Sequence, residues 1–174
     1  LTYLELNENN KAINYFKKAI LLNQNFLRAR INLGHTYHQL GMLNLALKNY
    51  KKILEINSKF AEAYVFIGIL YRHKGQPIQA IKNFEKALNI KPNLVSALYE
   101  LSNDKKYVLN AEKLCNLDSL LKNNNLGQND QINLHYTLAN VYEKKQEHEK
   151  FFEFLNLANK LRKDLIEYSL NDDK

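Results

Sequence analysis

The chain repeats itself every 34 residues, and that period decides most of what it can become. At this offset Asn32-Leu33-Gly34-His35-Thr36-Tyr37 lies over Phe66-Ile67-Gly68-Ile69-Leu70-Tyr71. The same step carries Gly41 onto Gly75, Ala46 onto Ala80, Tyr50 onto Phe84 and Ile53 onto Ala87. Taken backwards, it carries Tyr37 onto Tyr3, Ala46 onto Ala12, Tyr50 onto Phe16 and Ile53 onto Ala19; Pro92 closes the third unit. A fixed period of this length means one supersecondary unit copied along the chain, each copy burying its apolar face against the next. With 2 Pro and 5 Gly in 174 residues the chain is too poor in turn residues for a sheet protein, so the repeated unit is helical.

Each repeated residue has a local reason. Gly34 and Gly68 are expected where the two helices of a unit cross, with Ala46 and Ala80 facing them, so that the axes approach to about 8–10 Å. Tyr37 and Tyr71 fill the space towards the neighbouring unit. Gly41 and Gly75 follow the last periodic residue of a helix and suit a left-handed C′ position. Pro77 stands at the start of the next helix, where its missing N–H costs nothing.

Leu33, Gly34, Tyr37, Ala46, Tyr50 and Ile53, repeated as Ile67, Gly68, Tyr71, Ala80, Phe84, Ala87 with Pro92, resemble the signature of the tetratricopeptide repeat (TPR) family. The aromatic residue usual near the start of the first helix is Tyr64 in unit three, but Arg30 in unit two. The resemblance implies an all-α, right-handed TPR solenoid of antiparallel helix pairs with a modified C-terminal unit. Residues 1–94 are read as TPR units. The first opens at its ninth position, with Leu1 to Leu6 as the tail of a first helix and Asn9 to Asn23 as the complete second one; its N-terminus is expected to be truncated. Unit two runs from Leu27 to Phe60 and unit three from Ala61 to Leu94.

Residues 95–174 form irregular TPR-like units. A fourth unit opens at Val95, with Ala97, Leu98 and Leu101, and is cut short by Ser102-Asn103-Asp104-Lys105-Lys106. Val108, Ala111, Leu114, Cys115, Leu117, Leu120 and Leu121 predict an amphipathic spacer helix with Cys115 on its apolar face. A polar loop is predicted over Asn123 to Asp130. Leu138-Ala139 with Tyr142 then repeats Leu33-Gly34 with Tyr37, and a long final helix runs to about Leu170. The segments Leu134-His135-Tyr136-Thr137-Leu138-Ala139-Asn140-Val141-Tyr142-Glu143, Phe151-Phe152-Glu153-Phe154-Leu155 and Ala158-Asn159-Lys160-Leu161-Arg162 resemble the N-terminal TPR region of bacterial TPR-containing sulfotransferases. That resemblance implies a catalytic domain using the sulfate donor PAPS, and this chain has no Gly-rich phosphate loop to supply one. Any such domain would lie beyond Lys174.

The TPR resemblance also places a concave groove on the first helices. Its lining in unit two would be Arg28, Ile31, His35, His38 and Gln39, and in unit three Glu62, Val65, Ile69, Arg72 and His73. His38 would stand beside Arg72 and Gln39 beside His73, a donor surface over an apolar floor of Ile31, Val65 and Ile69. Such a surface suits an acidic or polar protein or peptide segment. The Lys and Asn clamp by which some TPR domains hold a C-terminal carboxylate is not matched, since its positions carry Ile31, His35, Phe66, Ser96 and Glu100.

Other functions find little in the sequence. The formal charge is +7, but the positive residues are almost all Lys, and Arg is the side chain that reads phosphates and base edges bidentately. Nucleic acid is therefore not the expected partner, and Lys18, Lys52 and Lys86 read as a solubilising convex row. Cys115 is the sole cysteine, so there is no disulfide framework. His35, His38 and His73 lack a companion carboxylate or thiolate, and no metal site, cofactor, acid–base pair or catalytic residue is assigned. No apolar run reaches the roughly 18 residues a membrane span needs, and no secretory leader is visible, so a cytoplasmic, non-catalytic interaction module is expected.

Overall fold

The computed structural model describes the backbone of residues 3–122 and 125–172 and the side chains of 8–122 and 125–166. All regular structure among these residues is helical, in the order α1 (Tyr3–Leu22), α2 (Leu27–Gln39), α3 (Leu43–Ile56), α4 (Ala61–His73), α5 (Pro77–Ile90), α6 (Val95–Ser102), α7 (Ala111–Leu121), α8 (Gln128–Lys144) and α9 (His148–Asp172). The chain divides into two compact units, residues 1–90 and 91–174.

In the first unit each helix packs on the next, α1 on α2, α2 on α3, α3 on α4 and α4 on α5. The core-facing apolar residues of α3 are Leu43, Ala46, Leu47, Tyr50, Ile53 and Leu54, a stripe along one side of the helix, while Leu45 and Ile56 are exposed. That stripe closes over Ile13 from α1, Leu33 and Tyr37 from α2, and Ala63, Ile67 and Leu70 from α4. Burying one aliphatic or aromatic side chain of this size contributes about 1.5–3 kcal/mol, so the seam between neighbouring helices is the main source of stability.

The period extends into the connections. Gly41 and Gly75 adopt φ of 72° and 70° as the C′ residues of α2 and α4. The Met42 and Gln76 amides donate to the Tyr37 and Tyr71 carbonyls, and the glycine amides to those of His38 and Arg72, which completes a Schellman cap at each site. Between units, the Asn23 and Asn57 side chains accept from the amides of Asn25 and Lys59 in matching Asx turns.

The glycines in the middle of the first helices serve close approach, but not towards alanine as expected. A Cβ on Gly34 would lie 2.4 Å from Tyr50 Cε1, and one on Gly68 would lie 2.4 Å from Phe84 Cε1. The aromatic rings of the second helices, fully buried, rest on the glycines, and Ala46 and Ala80 are core residues beside them.

Three expectations need correction. The break predicted between Leu6 and Asn9 is absent, and α1 is one continuous helix from Tyr3 to Leu22. Asn7 stands where Gly41 and Gly75 make their turns, and with no glycine or proline there nothing stops the helix. Cys115 is exposed. The buried stripe of α7 is Leu117 and Leu120, and a residue two positions before Leu117 is turned about 160° away from it around a 3.6-residue helix. Val108 precedes α7 and is 75% exposed, while Leu109 takes the buried place. The polar loop is also shorter than predicted, because Gln128, Asn129 and Asp130 already belong to α8; Asn123 and Asn124 lie outside the described residues.

In the second unit α8 pairs with α9 and also packs on α6 and α7. Ala139 occupies the place of Gly34 and is buried, and Tyr142 stacks on Phe154 with ring centroids 5.4 Å apart and planes 3° from parallel. Its turn repeats the Schellman cap, with Glu147 N–H on the Tyr142 carbonyl and Gln146 N–H on Glu143. The C′ residue here is Gln146, held at φ 60° without being glycine. The truncated α6 is finished by a side chain from α8. Lys144 Nζ donates to the carbonyls of Ser102, Asp104 and Tyr107 at 2.6, 2.7 and 2.8 Å. Asn140 Nδ2 donates to Ser102 Oγ and Asn103 Oδ1. Burial pulls the Lys144 ammonium below the usual lysine pKa, and the three carbonyls replace the water it gives up.

Candidate functional site

On α2 the residues Arg28, Ile31, His35, His38 and Gln39 fan across one side of the helix, away from Leu33 and Tyr37, which face the core. His35, His38 and Gln39 line a cavity of about 270 Å³ together with Tyr50, Phe66 and Ile69. Arg28 is exposed and Ile31 half-buried, packed against the core cluster. From α4, Ile69, Arg72 and Glu62 are half-buried and His73 is exposed.

Val65 departs from the expectation. It is 2% exposed and cannot serve as groove floor. The reason lies in α4, whose buried residues Ala61, Ala63, Val65, Ile67, Gly68 and Leu70 spread around more of its circumference than those of α2.

The cross-helix pairing also differs. His38 Nε2 lies 2.7 Å from His73 Nδ1, with ring centroids 4.7 Å apart, so the contact spans 35 positions rather than 34. One ring must donate and the other accept, which requires at least one of the two imidazoles to be neutral. Arg72, expected to be a solvated partner of His38, instead holds its guanidinium 5.1 Å from the centroid of the Phe84 ring. Such a contact contributes on the order of 0.5–1 kcal/mol to the fold.

The aromatic wall of the cavity was read from the sequence as framework alone. His35 meets Phe66 edge to face at 4.7 Å and Tyr50 at 5.9 Å, and Tyr50 and Phe66 lie 5.1 Å apart. Half-covered by these rings, the His35 imidazole is pushed below its ordinary pKa by burial. Burial also lowers His38, helped by the proximity of His73 and His35. The Tyr50 phenol is raised by burial and stays protonated. At neutral pH His35, His38 and Tyr50 are thus neutral rings, with Arg28 and Arg72 on the same two helices. No group of three or more His, Cys, Asp or Glu among the described residues could hold a metal ion.

Helix pairs with this period, these caps and aromatic-on-glycine crossings are matched by three family models: "Tetratricopeptide repeat" over residues 25–93, "TPR repeat" over 1–41 and "Tetratricopeptide repeat" over 132–165. The chain carries tetratricopeptide repeats. Solved structures share the fold. A crystal structure of MamA matches with a TM-score of 0.58 and 18% identity, covering 94% of each chain. The Cut9–Hcn1 hetero-tetramer of the APC/C matches at 0.70 and 18%, over 91% of this chain and 31% of that one. YrrB, described as a TPR protein with an unusual peptide-binding site, matches at 0.52 and 20%, over 98% and 86%. No curated protein sequence matches the chain. The resemblance to sulfotransferase TPR regions gains no support from these matches. Among the described residues no helix is long and apolar enough to cross a membrane.

Proposed function

We propose that this TPR chain is a non-catalytic interaction module whose first unit holds a segment of a partner protein across α2 and α4. The observation that carries the reading is the cavity between Tyr50, Phe66 and Ile69, edged by His35, His38 and Gln39. It offers an apolar wall for one side chain and hydrogen-bonding nitrogens for the segment that bears it. TPR arrays in general use such surfaces to bind extended ligands, and YrrB's described peptide-binding site agrees with that use. With Arg28 and Arg72 beside it, the segment that fits is acidic or rich in acceptors.

The test is a peptide array screened with the full chain, followed by titration of the best binder against wild type, Arg72→Ala and His38→Gln/His73→Gln. Loss of about tenfold in affinity for both variants is expected, since charge-assisted bonds contribute about 1.5–3 kcal/mol each. Because Arg72 also covers Phe84, its variant is first checked for an intact helical signal. Affinity should rise with acidification only below about pH 6.5, as His35 and His38 gain charge later than a free imidazole. Equal binding by wild type and both variants would refute the assignment.

A further inference from the structure

A larger cavity opens on the opposite side of α2. It measures about 640 Å³ and lies between α1 and α3, with Leu33 and Tyr37 at its floor and Leu45 and Ile56 on its wall. One of its lining residues, Arg30, departs from the repeat. In unit three the corresponding position on α4 is Tyr64, and Lys86 of α5 lies 5.9 Å from the centroid of its ring. In unit two the same position is Arg30, which bends away to donate from Nε and Nη2 to the Gln24 carbonyl at 3.1 and 2.8 Å. Arg30 thus lines the cavity at the position where the next repeat carries an aromatic ring.

The rim of this cavity is strongly basic. Lys17, Arg30, Lys48 and Lys52 line it, against one lining carboxylate, Glu55, which is itself bonded to Lys52. The two cations that come from α3, Lys48 and Lys52, stand one turn apart on one face of that helix. Gln24, Asn25 and Asn49 add side-chain amides suited to a peptide backbone. An open cavity with an apolar patch of Leu33, Tyr37, Leu45 and Ile56 among cations and amides fits an aromatic side chain carried on an acidic segment. A nucleic-acid strand offers rings and charge as well, but it would need a continuous track of phosphate-binding groups, and here the single arginine is already committed to Gln24.

We propose that this cavity is a second binding site, distinct from the α2–α4 groove, which receives an aromatic residue from an acidic segment of a partner protein in place of the ring missing at Arg30. The incoming ring lies over Leu33 and Tyr37, and its flanking carboxylates pair with Lys17 and Lys48.

The experiment titrates the full chain with the blocked pentapeptide acetyl-Asp-Glu-Trp-Glu-Asp-amide and with its alanine-centred counterpart, and runs a short thymidine oligonucleotide in parallel. Saturable binding of the tryptophan peptide is expected, with the alanine peptide at least about tenfold weaker, the difference that burial of one aromatic ring supplies. Arg30→Tyr restores the ring of unit three and should abolish binding while raising the thermal midpoint. Lys48→Gln changes an exposed side chain, leaves the fold intact and should weaken binding several-fold. His38→Gln/His73→Gln should bind the tryptophan peptide as wild type does, which separates this site from the groove. The proposal is overturned by absence of saturable binding, by equal affinity for the two peptides, by unchanged binding to Lys48→Gln, or by tighter binding of the oligonucleotide.

Discussion

Replacing Gly68 with alanine sets two effects of opposite sign against each other. In an ordinary helix interior the exchange stabilises by about 1 kcal/mol, because alanine loses less backbone freedom on folding. At Gly68 the new Cβ would stand 2.4, 2.7 and 2.9 Å from Phe84 Cε1, Cδ1 and Cζ. Reaching ordinary van der Waals distance requires the ring to retreat by about 1 Å. Phe84 is 0% exposed and carries the Arg72 guanidinium near its face, so it has nowhere to go without moving α5. Overpacking of a close core costs about 1–3 kcal/mol, and with the ring this confined the upper half of that range applies, so that after the propensity gain of about 1 kcal/mol a net loss of about 1–2 kcal/mol is expected. The larger Gly68→Leu should cost several kcal/mol by the same reasoning. Urea titration followed by far-ultraviolet circular dichroism reads the change, and Gly68→Ala/Phe84→Leu, which shaves the ring, should recover much of it. A Gly68→Ala protein as stable as wild type would show that the ring is free to yield and that the glycine is not there for close approach.

Further expectations concern the second unit, the histidines and the enzyme resemblance. Gln146→Gly should stabilise the chain by up to about 1 kcal/mol, because glycine adopts φ 60° without the Cβ clash, and an upward shift in the urea midpoint checks it. Lys144→Met should cost about 2–3 kcal/mol and speed amide exchange over residues 102–107, since three carbonyls lose their donor; unchanged exchange there would mean that solvent serves them as well. Stability should be full above pH 6.5 and fall as the pH drops below it. The unfolded imidazoles take up protons there, while His35 and His38, lowered by burial, resist, so the unfolded state binds more protons. His38→Gln/His73→Gln should flatten the slope of urea midpoint against pH between 7 and 5.5. Calorimetric titration of this chain with adenosine 3′,5′-bisphosphate, the desulfated product of PAPS, should give no saturable heat; micromolar binding would revive the sulfotransferase connection within these residues.

What the sequence disclosed follows from which physical demands leave a periodic trace. Helix crossings need a small residue opposite a large one, and caps need glycine at φ near 70°, so Gly34, Gly68, Gly41 and Gly75 recur at one spacing and locate α2 to α5 directly. Side-chain contacts between neighbouring helices leave no such trace. His38 meets His73 rather than Arg72, an offset of one residue from the 34-residue register that depends on how the two helices pack. The groove face of α2 could be read by counting residues, whereas burial of Val65 depends on how many sides of α4 are covered, which counting does not reveal. Arg30 was visible as an odd residue in the pattern; the cavity it leaves requires knowing that its guanidinium turns back to Gln24. Cys115 was misplaced because eight apolar residues in the fourteen positions from Val108 to Leu121 allow more than one stripe, and only tertiary packing selects Leu117 and Leu120.

The three carbonyls gathered on Lys144 bear on how this chain can change over time. In units two and three, connections between helices are closed largely by Schellman caps and Asx turns made from their own residues. The bend after α6 is answerable to a residue some forty positions downstream. An insertion or deletion anywhere from Ser102 to Tyr107 would pull at least one carbonyl out of reach of a single nitrogen. The shortened fourth repeat is therefore not a free-standing module that could be duplicated, moved or lost. It is inherited together with α8 or not at all.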